Sequence, residues 1–211
     1  MNLIYKSIDN YYTKKINKFG ATPKGVDWNS ESGQFIRFEQ LSKIICRKTT
    51  FSINDIGCGY GKYLEYLEKE SMNFKYKGYD LSFEMIDNAK KLYPKKDFLK
   101  IENINEITES DYSIASGIFS VKMEHDKEEW LSYILETLEN MNKNSKKGFS
   151  FNLLTIYSDK EYMRDDLYYG DPLFFFDYCK RNFSRNISLN HDYDLYEFTI
   201  LVRKDLECKK L

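Results

Sequence analysis

Phe51-Ser52-Ile53-Asn54-Asp55-Ile56-Gly57-Cys58-Gly59-Tyr60-Gly61 begins apolar and β-branched, then breaks into three glycines at alternate positions. Its first half reads as a short buried strand. Lys62 to Glu68 follows with a helical period that puts Leu64 and Leu67 on one side. Strand, glycine turn and helix together open a nucleotide-binding βα unit. Glycine has no Cβ, so the backbone can turn sharply and approach a ligand closely. The helix start offers unpaired N–H groups to polar ligand atoms.

The dinucleotide fingerprint is G-x-G-x-x-G, whereas here Lys62 stands where its third glycine would be. Asp55, two residues before the first glycine, would face an anionic pyrophosphate unfavourably and suits a cationic ligand. This spacing argues against an NAD(P) enzyme; a tight turn with no ligand is the other alternative. Asp-x-Gly-x-Gly-x-Gly resembles motif I of the class I S-adenosylmethionine (SAM) dependent methyltransferases, whose loop wraps the methionine part of SAM. Phe74 to Ser82 is a second strand-like stretch ending in Asp80. An acid about 20 residues past the glycines can take both ribose hydroxyls; alternatively, Asp80 is a carboxylate stabilised at a helix start. Gly78-Tyr79-Asp80-Leu81-Ser82 resembles the family's second motif, which implies that Leu81 touches adenine. Ser82 can cap a helix with Phe83, Met85, Ile86, Ala89 and Leu92 on its apolar face.

The 211 residues suit one domain, and 42% apolar content can form a core. A net charge of −1 gives no general attraction to nucleic acid or anionic membrane. No apolar run is long enough to span a bilayer, and no signal peptide is visible at Met1–Lys6. The cysteines at 46, 58, 179 and 208 lack metal-ligand spacing and read as reduced thiols of a cytoplasmic protein. No metal is expected.

Upstream, residues 2–19 have loosely helical apolar spacing that ends at Gly20. A polar loop to Gly33 contains Val26-Asp27-Trp28; Trp28 caps either the domain's own core or the ligand. Helix resumes over 32–48, with Arg37 beside its apolar stripe. Downstream, Phe98–Ile101, Asp111–Ala115 and Gly148–Leu154 read as strands and 127–141 as a helix. The stretch from Tyr157 to Asp171 is tyrosine-rich and long enough to suggest function. Asp171 and Pro172 start a further helix. Asn186–Leu189 and Leu195–Val202 form a hairpin whose connection holds His191-Asp192-Tyr193.

The resemblance runs from about residue 25 to 203. It implies an α/β, Rossmann-like fold with a mostly parallel seven-stranded sheet, a C-terminal antiparallel hairpin and helices on both faces. Residues 1–48 would be a helical extension and lid, and 49–203 the core. It implies SAM as cofactor and S-adenosylhomocysteine as product. The implied SAM contacts are Asp55, Gly57, Cys58, Gly59, Gly61, Asp80, Leu81 and Met85. After the third strand, Glu102 and Asn103 fall where the family contacts adenine; Ser116, Gly117 and Ile118 resemble its fourth motif, beside the reactive methyl.

Val26-Asp27-Trp28, Asp171–Tyr178 and His191-Asp192-Tyr193 are similar to a subgroup of small bacterial methyltransferases from surface-polysaccharide (capsule) gene clusters. The Lys-, Asn- and Ile-rich composition resembles the methyltransferase of the O-methyl phosphoramidate pathway. Its acceptor would be a small polar molecule methylated on oxygen. An alcohol would profit from a base: of His125 and His191, His191 lies beside acids that could orient it, and Tyr169 is a second candidate. An anionic phosphoramidate would instead need cations, with Lys24, Arg37, Arg181 and Arg185 available. Trp28 and Tyr168 complete the expected acceptor contacts. Each of these cations could equally be a solvated surface charge. A monomer or homodimer is expected, without nucleic acid or membrane. The alternatives are a non-enzymatic SAM-binding module and methylation of a protein or nucleic acid.

Overall fold

The computed structural model describes residues 3–204. Strands β1 (Phe51–Ile56), β2 (Phe74–Asp80), β3 (Asp97–Lys100), β4 (Ser110–Ala115) and β5 (Ser145–Thr155) pair in parallel. A two-residue β6 (Tyr169–Gly170) adds to β5, and β7 (Asn186–Asn190) and β8 (Glu197–Arg203) form the antiparallel hairpin. The order is β3-β2-β1-β4-β5-β8-β7, with β6 off this path. The expected seven strands are therefore present, and the short β6 makes an eighth.

β1 sits where the strand order reverses, between β2 and β4. Open α/β sheets form a crevice beyond the carboxyl ends of strands at such a point. Asp55, the glycine bend and Ser116 all lie at that end.

Helices cover both faces. α3 (Lys62–Lys69) and α2 (Glu31–Ser42) pack over one through Leu64, Leu67 and Phe38. α5 (Lys127–Asn144) and α6 (Pro172–Asn182) pack over the other through Trp130, Leu138 and Phe175. α2 stops at Ser42, short of the expected 48. Capping follows local chemistry: Ser82 accepts from Met85 N–H at the start of α4 (Phe83–Leu92), and Asp171 accepts from Leu173 N–H before Pro172.

The first helix, α1 (Leu3–Phe19), lies outside the sheet's own layers. Its Thr13 hydroxyl reaches Ser82 and Glu84, both 2.8 Å away, tying α1 to α4. Tyr5, Ile8 and Ile4 are buried against the core. Of the cysteines expected to be reduced, Cys58 and Cys179 are free and buried. Cys46 is instead disulfide-bonded, and Cys208 lies outside the described residues.

Trp130 is fully buried on α5 and donates its indole N–H to the Phe119 carbonyl at 2.8 Å. Trp130→Ala should cost about 3–5 kcal/mol in urea denaturation. Trp130→Phe should cost less, because it keeps most of the apolar volume.

Candidate active site

The crevice at the end of β1 is a cavity roofed by α1, by the loop carrying Trp28, and by α2. Its floor is the glycine bend. Gly57, Gly59 and Gly61 adopt φ of +71°, +54° and +89°, the left-handed region that favours glycine. A Cβ on Gly57 would come within 2.2 Å of Ile118 Cγ2, so the bend and the turn after β4 touch directly. Gly57 and Cys58 N–H both reach the Tyr79 carbonyl, at 2.7 and 3.0 Å, which fastens the bend to β2.

The two acids expected to face a ligand both line this cavity. Asp80 accepts Gly59 N–H at 2.8 Å and Ser82 N–H at 2.9 Å, one on each carboxylate oxygen. Lone pairs remain on both oxygens. Asp55 is buried and accepts the Tyr76 hydroxyl at 2.7 Å. Burial pushes the Asp55 carboxyl up to about 7, opposed by the Tyr76 bond and reinforced by the charge of Asp80. Burial likewise pushes Asp80 up to about 6, opposed by its backbone donors. Cys58 is not a nucleophile here: burial, Asp80 and Asp55 all hold its thiol well above the usual range.

Leu81, Met85, Ser116, Gly117 and Ile118 are also on the wall, as is Trp28. Gly61 closes the bend against Phe98 and Tyr93 instead. Glu102 and Asn103 are not brought to the cavity. Glu102 pairs with Lys100, and Asn103 caps the 3₁₀ turn at Ile104–Glu106. That turn sends their apolar neighbours Ile101 and Ile104 to the wall.

Trp28 stacks on Gly117, where a Cβ would meet its ring at 2.1 Å. The Arg37 guanidinium lies 4.0 Å from the Trp28 ring centroid, a cation–π contact. Arg37 Nε also donates to both oxygens of Glu197 at 2.9 Å. Glu197 is buried and accepts from Asn152, whose other amide atom accepts Gly117 N–H at 2.8 Å. Arg37 is thus committed to an internal ion pair, not offered to an anion as expected. Arg181 is exposed on α6 and pairs with Asp177, and Lys24 is exposed on the loop. Arg185 also lies outside the cavity wall. Lys62 is the cation on the wall among the described residues, and Glu31 and Glu65 hold it at 2.6 and 2.7 Å.

The candidate catalytic residues His191 and Tyr169, and Tyr168, are not brought to the cavity wall. His191 is exposed, with its ring 6.1 Å from Tyr157 and 6.3 Å from Phe198. The Tyr169 hydroxyl accepts Arg164 N–H, and Tyr168 is buried beside Ser120. Sequence reasoning missed several wall residues: Tyr5, Ile8 and Tyr12 on α1, Gln34 and Phe38 on α2, and Tyr133 and Thr137 on α5. The usable signal was the polar atoms within those apolar stripes.

Among the described residues, two buried polar atoms on the wall have no partner: Ser116 Oγ and Gln34 Oε1. Unpaired buried polar groups are costly, so this wall fits a guest that brings donors and acceptors. Two acids, backbone amides and apolar ledges suit a cationic nucleoside.

The fold is that of a Rossmann-like methyltransferase. A family model described as a methyltransferase domain matches residues 53–144. Rv1506c of Mycobacterium tuberculosis (strain ATCC 25618 / H37Rv), a protein named only provisionally as a methyltransferase, is 48% identical over 165 residues. The match covers 77% of this chain and 98% of that one. The chain belongs to the methyltransferase family. Among solved structures, the DhpI–SAM–HEP complex superposes with a TM-score of 0.68 at 12% identity, covering 96% of this chain and 99% of that one. The plantazolicin methyltransferase BpumL, in complex with an analogue and SAH, gives 0.61 at 17%, covering 95% and 98%. These likenesses show the shared fold.

Two measurements check the site's electrostatics. Both acids bind protons more tightly in the folded chain than the ordinary carboxylate value of about 4. Between about pH 4 and 7 the folded state therefore holds more protons than the unfolded one. The contribution of these acids to ligand-free stability should fall as pH rises through that window. Asp55→Asn should flatten this dependence in urea titrations. Glu197→Gln leaves the Arg37 charge unpaired in the interior and should cost about 3–5 kcal/mol.

Proposed function

We propose that this protein transfers a methyl group from SAM to an oxygen of a small polar metabolite, a phosphoramidate or sugar-linked precursor of surface polysaccharide. The cofactor is SAM. The observation that carries the reading is a pair of carboxylates on the cavity wall, the buried Asp55 and the half-buried Asp80, on either side of a glycine bend with unpaired polar atoms around it. When bound, the cofactor supplies a methyl group already activated by a sulfonium centre.

The chain's own residues have distinct tasks. Asp80, held by two backbone amides, turns its remaining lone pairs to the ribose hydroxyls. Leu81, Met85, Ile101 and Ile104 give adenine its apolar walls. Asp55, braced by the Tyr76 hydroxyl, faces the positive end of the ligand. Ser116 Oγ supplies a further hydrogen bond from the turn after β4. The roof of Tyr5, Ile8, Tyr12 and Trp28 excludes water, which strengthens each of these electrostatic contacts. Residues 1–48 act as the lid, and 49–203 as the core that binds the cofactor.

Isothermal titration with SAM tests this. Saturable one-to-one binding is expected, and no heat at millimolar ligand would overturn the reading. Asp80→Asn should weaken binding by about 1.5–3 kcal/mol, the range for hydrogen bonds to a charged group. Affinity should also fall as pH drops through about 7 to 6, where Asp55 and Asp80 become neutral.

A further inference from the structure

We propose that the acceptor is a neutral or amino-sugar glycoside, seated on an aromatic ledge outside the cofactor cavity. The proposal rests on the methyltransferase reading above and narrows its substrate class. The ledge is built where the loop after β5 meets the β7–β8 connection. Tyr157 and Tyr162 are each 62% exposed and Tyr196 is 45% exposed, so their ring faces are open to a ligand. Tyr162 and Tyr196 rings lie 6.1 Å apart, and Tyr157 and His191 rings are equally close.

This cluster is ordered, not a set of free side chains. The Tyr196 hydroxyl donates to Asp159, and its carbonyl accepts Thr155 N–H at 3.0 Å. Thr155 is three residues past Asn152, which holds the Gly117 N–H of the methyl-facing turn. At strand rise the Thr155 backbone lies about 10 Å along β5 from Asn152, both towards the carboxyl end of the sheet where the cavity opens, and a sugar chain reaching inward from the ledge would span that interval.

The chemistry of the ledge selects the guest. Tyrosine and histidine pair an apolar face with a polar edge. A pyranose matches this with apolar C–H faces and hydroxyls at its edge. In sequence the rings are flanked by Asp159, Glu161, Asp192 and Asp194, against Lys160 and Arg164, and Arg164 is paired with Asp166. Carboxylates accept hydrogen bonds from sugar hydroxyls or an ammonium group, and they repel an anion. A phosphoramidate would also find no unpaired cation on the cavity wall, where Lys62 is held by two glutamates.

In the transfer, the acceptor hydroxyl oxygen bonds to the methyl carbon while the carbon–sulfur bond breaks. The breaking bond's electron pair stays on sulfur, giving a neutral thioether, and the hydroxyl proton passes to water at the mouth. His191 then belongs to the surface that holds the sugar; its exposed place on the ledge does not fit it as the base.

The test offers SAM carrying a tritiated methyl group, with the full chain, to arrayed neutral glycosides, amino-sugar glycosides, a phosphoramidate glycoside and basic peptides. Label on neutral or amino-sugar glycosides is expected. Tyr157→Ala and Tyr162→Ala should raise acceptor KM about tenfold, the scale of one lost ring contact, with a smaller change in kcat and unchanged SAM affinity. Thermal melting checks that both variants fold, and Tyr196→Phe, which keeps the ring, should have a weaker effect. Label on the phosphoramidate or the peptides alone, an unchanged KM, or a blank array with SAM still bound would overturn the proposal. Failure of the wild-type chain to bind SAM would instead overturn the function proposed above.

Discussion

The buried ion pair of Arg37 with Glu197 joins parts of the chain that sequence separation would leave independent. Arg37 comes from α2 and Glu197 from the start of β8, yet Nε contacts both carboxylate oxygens at 2.9 Å. Glu197 continues through Asn152 on β5 to the Gly117 N–H, and Trp28 completes the circuit between Gly117 and Arg37. Every member constrains the next. Buried pairs of this kind contribute little net stability relative to an apolar pair, but are costly to break. What the circuit secures is placement: the turn beside the cavity, its tryptophan cover and the last strand share one register.

The cofactor acids show the opposite arrangement. Asp55 is buried and Asp80 half-buried, neither with a cationic partner among the described residues, and desolvation raises the pKa of both in the ligand-free chain. Lys62 shares the cavity wall with them but is already paired with Glu31 and Glu65, and Arg37 is paired with Glu197. A positive ligand is therefore met by carboxylates that nothing else satisfies. Strain of this kind at a site is consistent with binding, since a fully satisfied pair would have to be disrupted first.

Much of this was legible in the sequence because it is local. The glycine bend, Asp55, Asp80 and Ser82 owe their positions to neighbours within one βα unit, so spacing alone locates them. The turn at Ser116–Ile118 was legible for the same reason. Glu102 and Asn103 failed because the 3₁₀ turn at Ile104–Glu106 uses Asn103 as its cap and turns Ile101 and Ile104 inward. Arg37 was read as a free clamp because its partner lies 160 positions away, beyond any local pattern. The roof residues Ile8 and Tyr12 belong to the apolar stripe read over residues 2–19, and Tyr5 was not singled out; only the packed helix shows that this face divides between core and cavity.

The roof's two fastenings differ in kind, which bears on how a closed cavity can exchange its contents. α2 is held through Arg37 by a carboxylate that is as buried as any among the described residues, and parting them exposes an unpaired charge to the interior. α1 is held by Lys15 and Tyr11 on Asp27 and by Thr13 on Ser82 and Glu84, all partly exposed except the buried Ser82. Water can replace such bonds, and surface pairs are worth only about 0–1 kcal/mol each. α1 also carries the exposed Leu3 at its start, while its buried Ile4, Tyr5 and Ile8 supply most of its hold on the core. The lower-cost separation is therefore along α1, leaving α2, Trp28 and the turn at Gly117 as the fixed side of the site.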